Sequence, residues 1–70
     1  MKIKSFLKAV HTEAYVRIVD CDGEELAYNQ ADSIIKYGNP KMEVIRAYPE
    51  CSPLTEGRLA ITVIVQVKDS

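Results

Sequence analysis

The sequence predicts a small α+β domain. Its antiparallel sheet has about four strands in two hairpins, with two short helices, in the order helix-strand-strand-helix-strand-strand. Three observations carry this. Apolar residues recur at helical spacing near the start. Two stretches rich in β-branched residues flank an Asp-Gly turn. The strongest strand pattern, "RLAITVIVQV", comes near the end, at 58–67. Seventy residues, 47% hydrophobic and 27% charged, make one folded domain over 1–70 rather than a disordered chain. A chain of this length buries only about 60% of its unfolded surface, which leaves a stability of a few kcal/mol.

Ile3, Phe6, Leu7 and Val10 follow i, i+3, i+4, i+7, while Lys4, Lys8 and His11 fall on another face. The spacing predicts a short first helix, too short to persist alone, which docks its apolar stripe on the sheet. "AYVRIV" (14–19) and "EELAYN" (24–29) read as paired strands. Between them, Asp20-Cys21-Asp22-Gly23 suits a type I turn followed by a left-handed glycine bulge. In that register Asp20 pairs with Glu24, Ile18 with Leu26 and Val16 with Tyr28, so Ala14, Val16, Ile18, Leu26 and Tyr28 share one face. A two-residue Asp22-Gly23 loop would instead pair Ile18 with Ala27 and Val16 with Asn29. That slip flips every side chain, so the bulged register is expected.

"NQADSIIKYGNP" (29–40) predicts a short second helix, capped by Asn29 or Asp32, packed through Ile34 and Ile35, and ended by Gly38 and Asn39-Pro40. "MEVIRAY" (42–48) reads as the third strand and "PECSPLTEG" (49–57) as a loop. In the last strand, Leu59, Ile61, Val63, Val65 and Val67 form the face for the helices. The opposite face, with Ala60, Thr62, Ile64 and Gln66, is still fairly apolar, and Tyr15, Val19, Ala27 and Ile45 join it. A sheet packed on one side only shows cleaner alternation. Either the 49–57 loop shields this face with Leu54 as its plug, or Tyr15, Val19, Thr62 and Ile64 form a surface for a homodimer or another protein.

Chemical motifs are sparse. "IVDCDGEEL" (18–26) holds four carboxylates and a cysteine. With Gly23 at the glycine of a calcium loop, the first and twelfth ligand positions would be Ile18 and Asn29, neither acidic. No Lys, Arg or His adjoins Cys21 in sequence to activate it, so the stretch is a turn. Cys21 and Cys51 make no C-x-x-C and no zinc spacing, and two free thiols in a reducing cytosol are expected. There is one His, no nucleophile motif, no metalloprotease motif and no phosphate loop. Glu24 and Glu25 point to opposite faces of their strand. The chain also offers little volume for a ligand pocket of about 300 Å³ or more. Neither an enzyme nor a cofactor, metal or small-molecule substrate is expected.

"MKIKSFLKAV" begins basic, but Lys4, Ser5 and Lys8 interrupt its apolar residues, unlike a signal peptide. No apolar run is long enough for a membrane helix, so a cytoplasmic protein without membrane association is expected. Lys4, Lys8 and His11 could contact phosphates. A net charge of −1, a single Phe and no Trp stand against a base-stacking surface. A nucleic-acid-binding accessory protein is therefore the alternative reading.

At "FLKAV…AYVRIVDCDGEELAY" the chain resembles a loose group of short uncharacterised proteins of Gram-positive bacteria and their phages. These open with an amphipathic helix, then a strand, an acidic Asp-Gly turn and a second strand. The resemblance implies a mobile-element origin and carries over no catalytic or binding residue. The leading expectation is a non-enzymatic protein-interaction module that self-associates through its sheet.

Overall fold

The computed structural model describes residues 1–37 and 42–67. Helix α1 (Ile3–Ala9) leads into the hairpin β1 (Tyr15–Val19) and β2 (Glu25–Gln30). Helix α2 (Ala31–Ile34) follows and runs on as a 3₁₀ turn through Tyr37. Strand β3 (Met42–Glu50), a 3₁₀ turn (Pro53–Thr55) and β4 (Ala60–Val67) complete the order. The sheet runs β2-β1-β4-β3. Both hairpins are antiparallel, but β1 and β4 lie parallel between them, so the sheet is mixed and not purely antiparallel. The two strands richest in β-branched residues take the centre, and central parallel strands are covered on both faces.

That placement builds the core. The parallel register sets Ile18 beside Val63 and Val16 beside Ile61. Val16, Ile18, Val63 and Val65 are fully buried. Onto them α1 lays Ile3 and Leu7, with Phe6 and Val10 half-buried, and α2 adds Ala31 and Ile34. Neither Asn29 nor Asp32 caps α2. Gln30 stands at the cap position, but its side chain makes no capping bond and donates to the Glu13 carbonyl (3.4 Å). The first amides, of Ala31 and Asp32, donate instead to the carbonyls of Ala14 (2.8 Å) and Thr12 (3.1 Å). Backbone from the α1–β1 connection thus satisfies what a side chain was expected to. The expected stop at Gly38, Asn39 and Pro40 lies outside the described residues.

The acidic turn forms as its chemistry dictates. Gly23 N–H donates to Asp20 O (3.1 Å), Asp20 N–H to Glu24 O (3.0 Å), and Asp20 Oδ1 accepts from the amides of Asp22 and Glu24. One step further the expected register fails. Val19 pairs with Glu25, but Ile18 pairs with Ala27 and Val16 with Asn29, leaving Leu26 as an extra residue. A bulge sets two residues opposite one, so Leu26 and Ala27 both pack against the core while Tyr28 moves to the outer face beside Arg17.

Gly23 holds φ +87°, and a Cβ built there meets nothing within 4 Å. Gly23→Ala should therefore lose about 1 kcal/mol from backbone strain alone, and Gly23→Asn less, because Asn tolerates the left-handed region. Urea denaturation of both variants measures this, and equal losses would refute it.

The third strand is longer than its pattern, running through Pro49 to Glu50. Proline is tolerated because β3 is an edge strand.

Candidate functional site

The two faces of the sheet differ in kind. On the outer face, residues 51–59 fold back against Tyr15 of β1 and Tyr28 of β2. Ser52 caps the 3₁₀ turn by accepting from the Leu54 amide (3.2 Å), while its own amide donates to Thr55 Oγ1 (3.1 Å). Thr55 is fully buried, and its hydroxyl donates to the Arg58 carbonyl (2.7 Å). Tyr28 Oη donates to the Thr55 carbonyl (2.9 Å). The Arg58 guanidinium lies 4.6 Å over the Tyr15 ring, itself 5.6 Å from the Tyr28 ring.

Beneath this segment Arg17 is 7% exposed. Its Nε donates to Glu25 (2.8 Å) and its Nη1 stands 3.7 Å from Glu50. Glu50 also accepts from the hydroxyls of Thr62 and Ser52. Those hydrogen bonds, Thr62's first, hold the Glu50 carboxyl below its usual range, with Arg17 adding to them and burial opposing. Every buried side-chain nitrogen and oxygen among the described residues has a partner. The polar groups of this layer thus satisfy one another.

The surface expected at Tyr15, Val19, Thr62 and Ile64 is therefore not an open one. Thr62 and Val19 are buried, at 1% and 5%, and Tyr15 and Ile64 are half-buried. The shielding segment also fills differently from expectation. Thr55 takes the buried place, and Leu54 is 59% exposed. The signal in the sequence was Arg17 itself, one cation inside "YVRIV", which a covered strand tolerates only with carboxylates in reach.

Besides the exposed Leu54 and Leu59 of the outer segment, accessible apolar surface lies on the helix side. Seven residues of α1 span only about 10 Å, and one corner of the sheet stays uncovered. There a groove of about 540 Å³ is lined by Met1, Phe6, Ala9 and Val10 on one wall and by Ala47, Tyr48, Pro49 and Ile61 on the other. No charged side chain lines it. The expectation of too little volume for a ligand is thus corrected, but the groove offers almost no polar group to orient a small molecule.

Along the rim, the start of the β3 edge is taken. Lys2 bridges Glu43, and the Val44 amide donates to the Met1 carbonyl (2.7 Å). The terminal ammonium and Lys2 both contact the Glu43 carboxylate and, in that order, hold its carboxyl below the usual range. Beyond Val44 the edge carries a bulge, the exposed Ile45 and Tyr48, and Pro49.

Lys4, Lys8 and His11 are all exposed. The lysines stand one turn apart on α1, whereas His11 lies past the helix end, its Nδ1 accepting from the Glu13 amide (3.2 Å). Phe6, the aromatic nearest them in sequence, turns into the groove and not toward them. Cys21 and Cys51 are exposed and unbonded. Cys21 Sγ lies against the Val65 carbonyl, and Cys51 follows Glu50, which pairs with Ala60. Five residues of β4 separate the two, roughly 17 Å at strand rise, beyond the reach of a disulfide. Among the described residues no group of three His, Cys, Asp or Glu is placed to hold a metal ion, and no helix is long and apolar enough to cross a membrane.

No family model, no curated protein and no solved structure matches this chain.

Proposed function

We propose that the chain is a non-enzymatic protein-interaction module that self-associates through the groove between α1 and β3. One observation carries this reading. The groove is apolar on both walls and continuous with large exposed apolar side chains at its rim, Met1 at 67% and Tyr48 at 40% exposure, with Ile45 (54%) further along the same strand. Contiguous apolar surface of this kind marks protein contact sites on small domains. The bulge at Ile45 and the proline at position 49 both oppose addition of a further strand. The contact therefore runs through side chains in the groove and does not extend the sheet.

Light scattering across a tenfold concentration range tests the reading, with a dimer expected for the wild-type chain. Ala47 is exposed on the groove wall, so Ala47→Arg should preserve the fold and weaken the dimer at least about tenfold. Ile64→Lys, on the opposite face of the sheet, should leave the dimer intact. A wild-type chain that stays monomeric overturns self-association. A dimer broken by Ile64→Lys but not by Ala47→Arg overturns the location.

A further inference from the structure

We propose that residues 51–59 form a strap that opens as a unit from the outer sheet face while the helix-side core stays folded, with Glu50 as its latch. The two layers are held by different forces. The apolar core draws no member from this segment. Leu54 and Leu59, its two large apolar side chains, face solvent at 59% and 74% exposure, and Thr55 is its one buried residue. Regions with few buried apolar contacts open at lower free energy than the global transition.

The strap is also knit to itself. The amides of Thr55 and Gly57 donate to the Ser52 carbonyl, Arg58 N–H donates to Thr55 O, and Cys51 Sγ lies 3.3 Å from the Gly57 carbonyl. It can therefore move without unravelling. Glu56 at its tip holds a left-handed backbone, φ 57°, which a side chain with a Cβ adopts under strain. Its ties to the sheet include Ser52 on Glu50, the Thr55 carbonyl on Tyr28, and Arg58, which lies over Tyr15 and hydrogen-bonds Tyr28.

Of these, the Glu50 tie is the one that joins the strap to both central strands, through Arg17 of β1 and Thr62 of β4. The charged groups around it are Arg17, Glu25 on that arginine's other side, and Arg58 and Glu56 on the strap, with Arg46 four residues back along β3. Tyr15 and Tyr28 add the remaining ionisable groups. Thr62, the larger cause of the lowered Glu50 carboxyl, stays with it in the sheet. Opening removes the Ser52 hydrogen bond, and because that bond also lowers the carboxyl, the closed state binds fewer protons than the open one. Closure is thus favoured above the ordinary carboxylate range and is lost as pH falls through the lowered value of the closed state. Opening uncovers Thr62 and Arg17, the middle of the outer face.

Amide hydrogen exchange read by NMR, with rates normalised to each residue's intrinsic rate, tests this. In the wild-type chain the Thr55, Gly57 and Arg58 amides should be less protected than those of β1 and β4. Their protection should fall further between about pH 6 and about pH 3 while that of the central strands holds. Glu50→Gln should lower strap protection about tenfold at the upper pH and remove the pH dependence. Ser52→Ala, which keeps the carboxylate but removes the bond that opening breaks, should lower protection less and flatten the pH dependence as well. Strap amides that share the protection of β1 and β4, or that respond neither to pH nor to Glu50→Gln, overturn the proposal.

Discussion

Ile18→Ala should lower stability by about 3 kcal/mol, read as a fall in the urea midpoint at unchanged slope. Ile18 has no exposed surface and sits mid-strand in β1, between Ala27 on one neighbour and Val63 on the other. Truncation there removes three carbons from a place that the parallel pairing and α1 hold from three sides, so the void cannot collapse cheaply. A domain of this size has only about 0.05–0.15 kcal/mol of stability per residue, and a loss of that order depletes the folded state. The control is Ile45→Ala. It makes the same chemical change on the β3 bulge, where the side chain is 54% exposed, and should stay within about 0.5 kcal/mol. Equal effects at the two sites would refute the placement of β1 at the centre of the sheet.

The same pair of isoleucines marks what the sequence made legible. Strong local patterns predicted all six elements, because helical spacing, β-branched runs and Asp-Gly turn chemistry act within a few residues. What failed needed contacts between distant segments. The α2 cap is supplied by backbone of residues 12 and 14, which no local motif encodes. The bulge at Leu26 arises because the core accepts Leu26 and Ala27 together, an outcome of packing and not of turn type. The parallel β1–β4 pair follows from which strands must be covered on both faces, and that depends on a strap whose buried residue is a threonine. Poor alternation in the central strands was visible as a pattern. Its cause, a polar second layer, was not, because a hydrophobicity pattern is blind to Arg17, Glu50, Thr55 and Thr62 satisfying one another. The groove was hidden for a related reason. Phe6 and Val10 fit the helix stripe, and only the short span of α1 leaves one side of them uncovered.

Arg17 is where that second layer is most sensitive. Arg17→Ala should lose about 3 kcal/mol, at the lower edge of what breaking a buried pair removes, because Glu25 can relax into water with 44% of its side chain already exposed. Two contributions are mixed in that figure. The guanidinium pairs with Glu25 and Glu50, and the alkyl stem packs beside Tyr28 and Thr62, its cross-strand neighbours. Arg17→Met separates them, since it keeps a stem of similar length and removes the charge. Glu50 then still accepts from Thr62 and Ser52, so Met should recover about half of the Ala loss. Arg17→Lys should do no better than Met, because one ammonium cannot span two carboxylates held on opposite sides of a planar fork. A methionine variant as unstable as the alanine one would mean that the ion pairs carry the whole effect and the stem none. A fully stable one would reduce Arg17 to packing. The intermediate result is expected because the network lies under a thin strap, close enough to water that its charges are neither fully buried nor free.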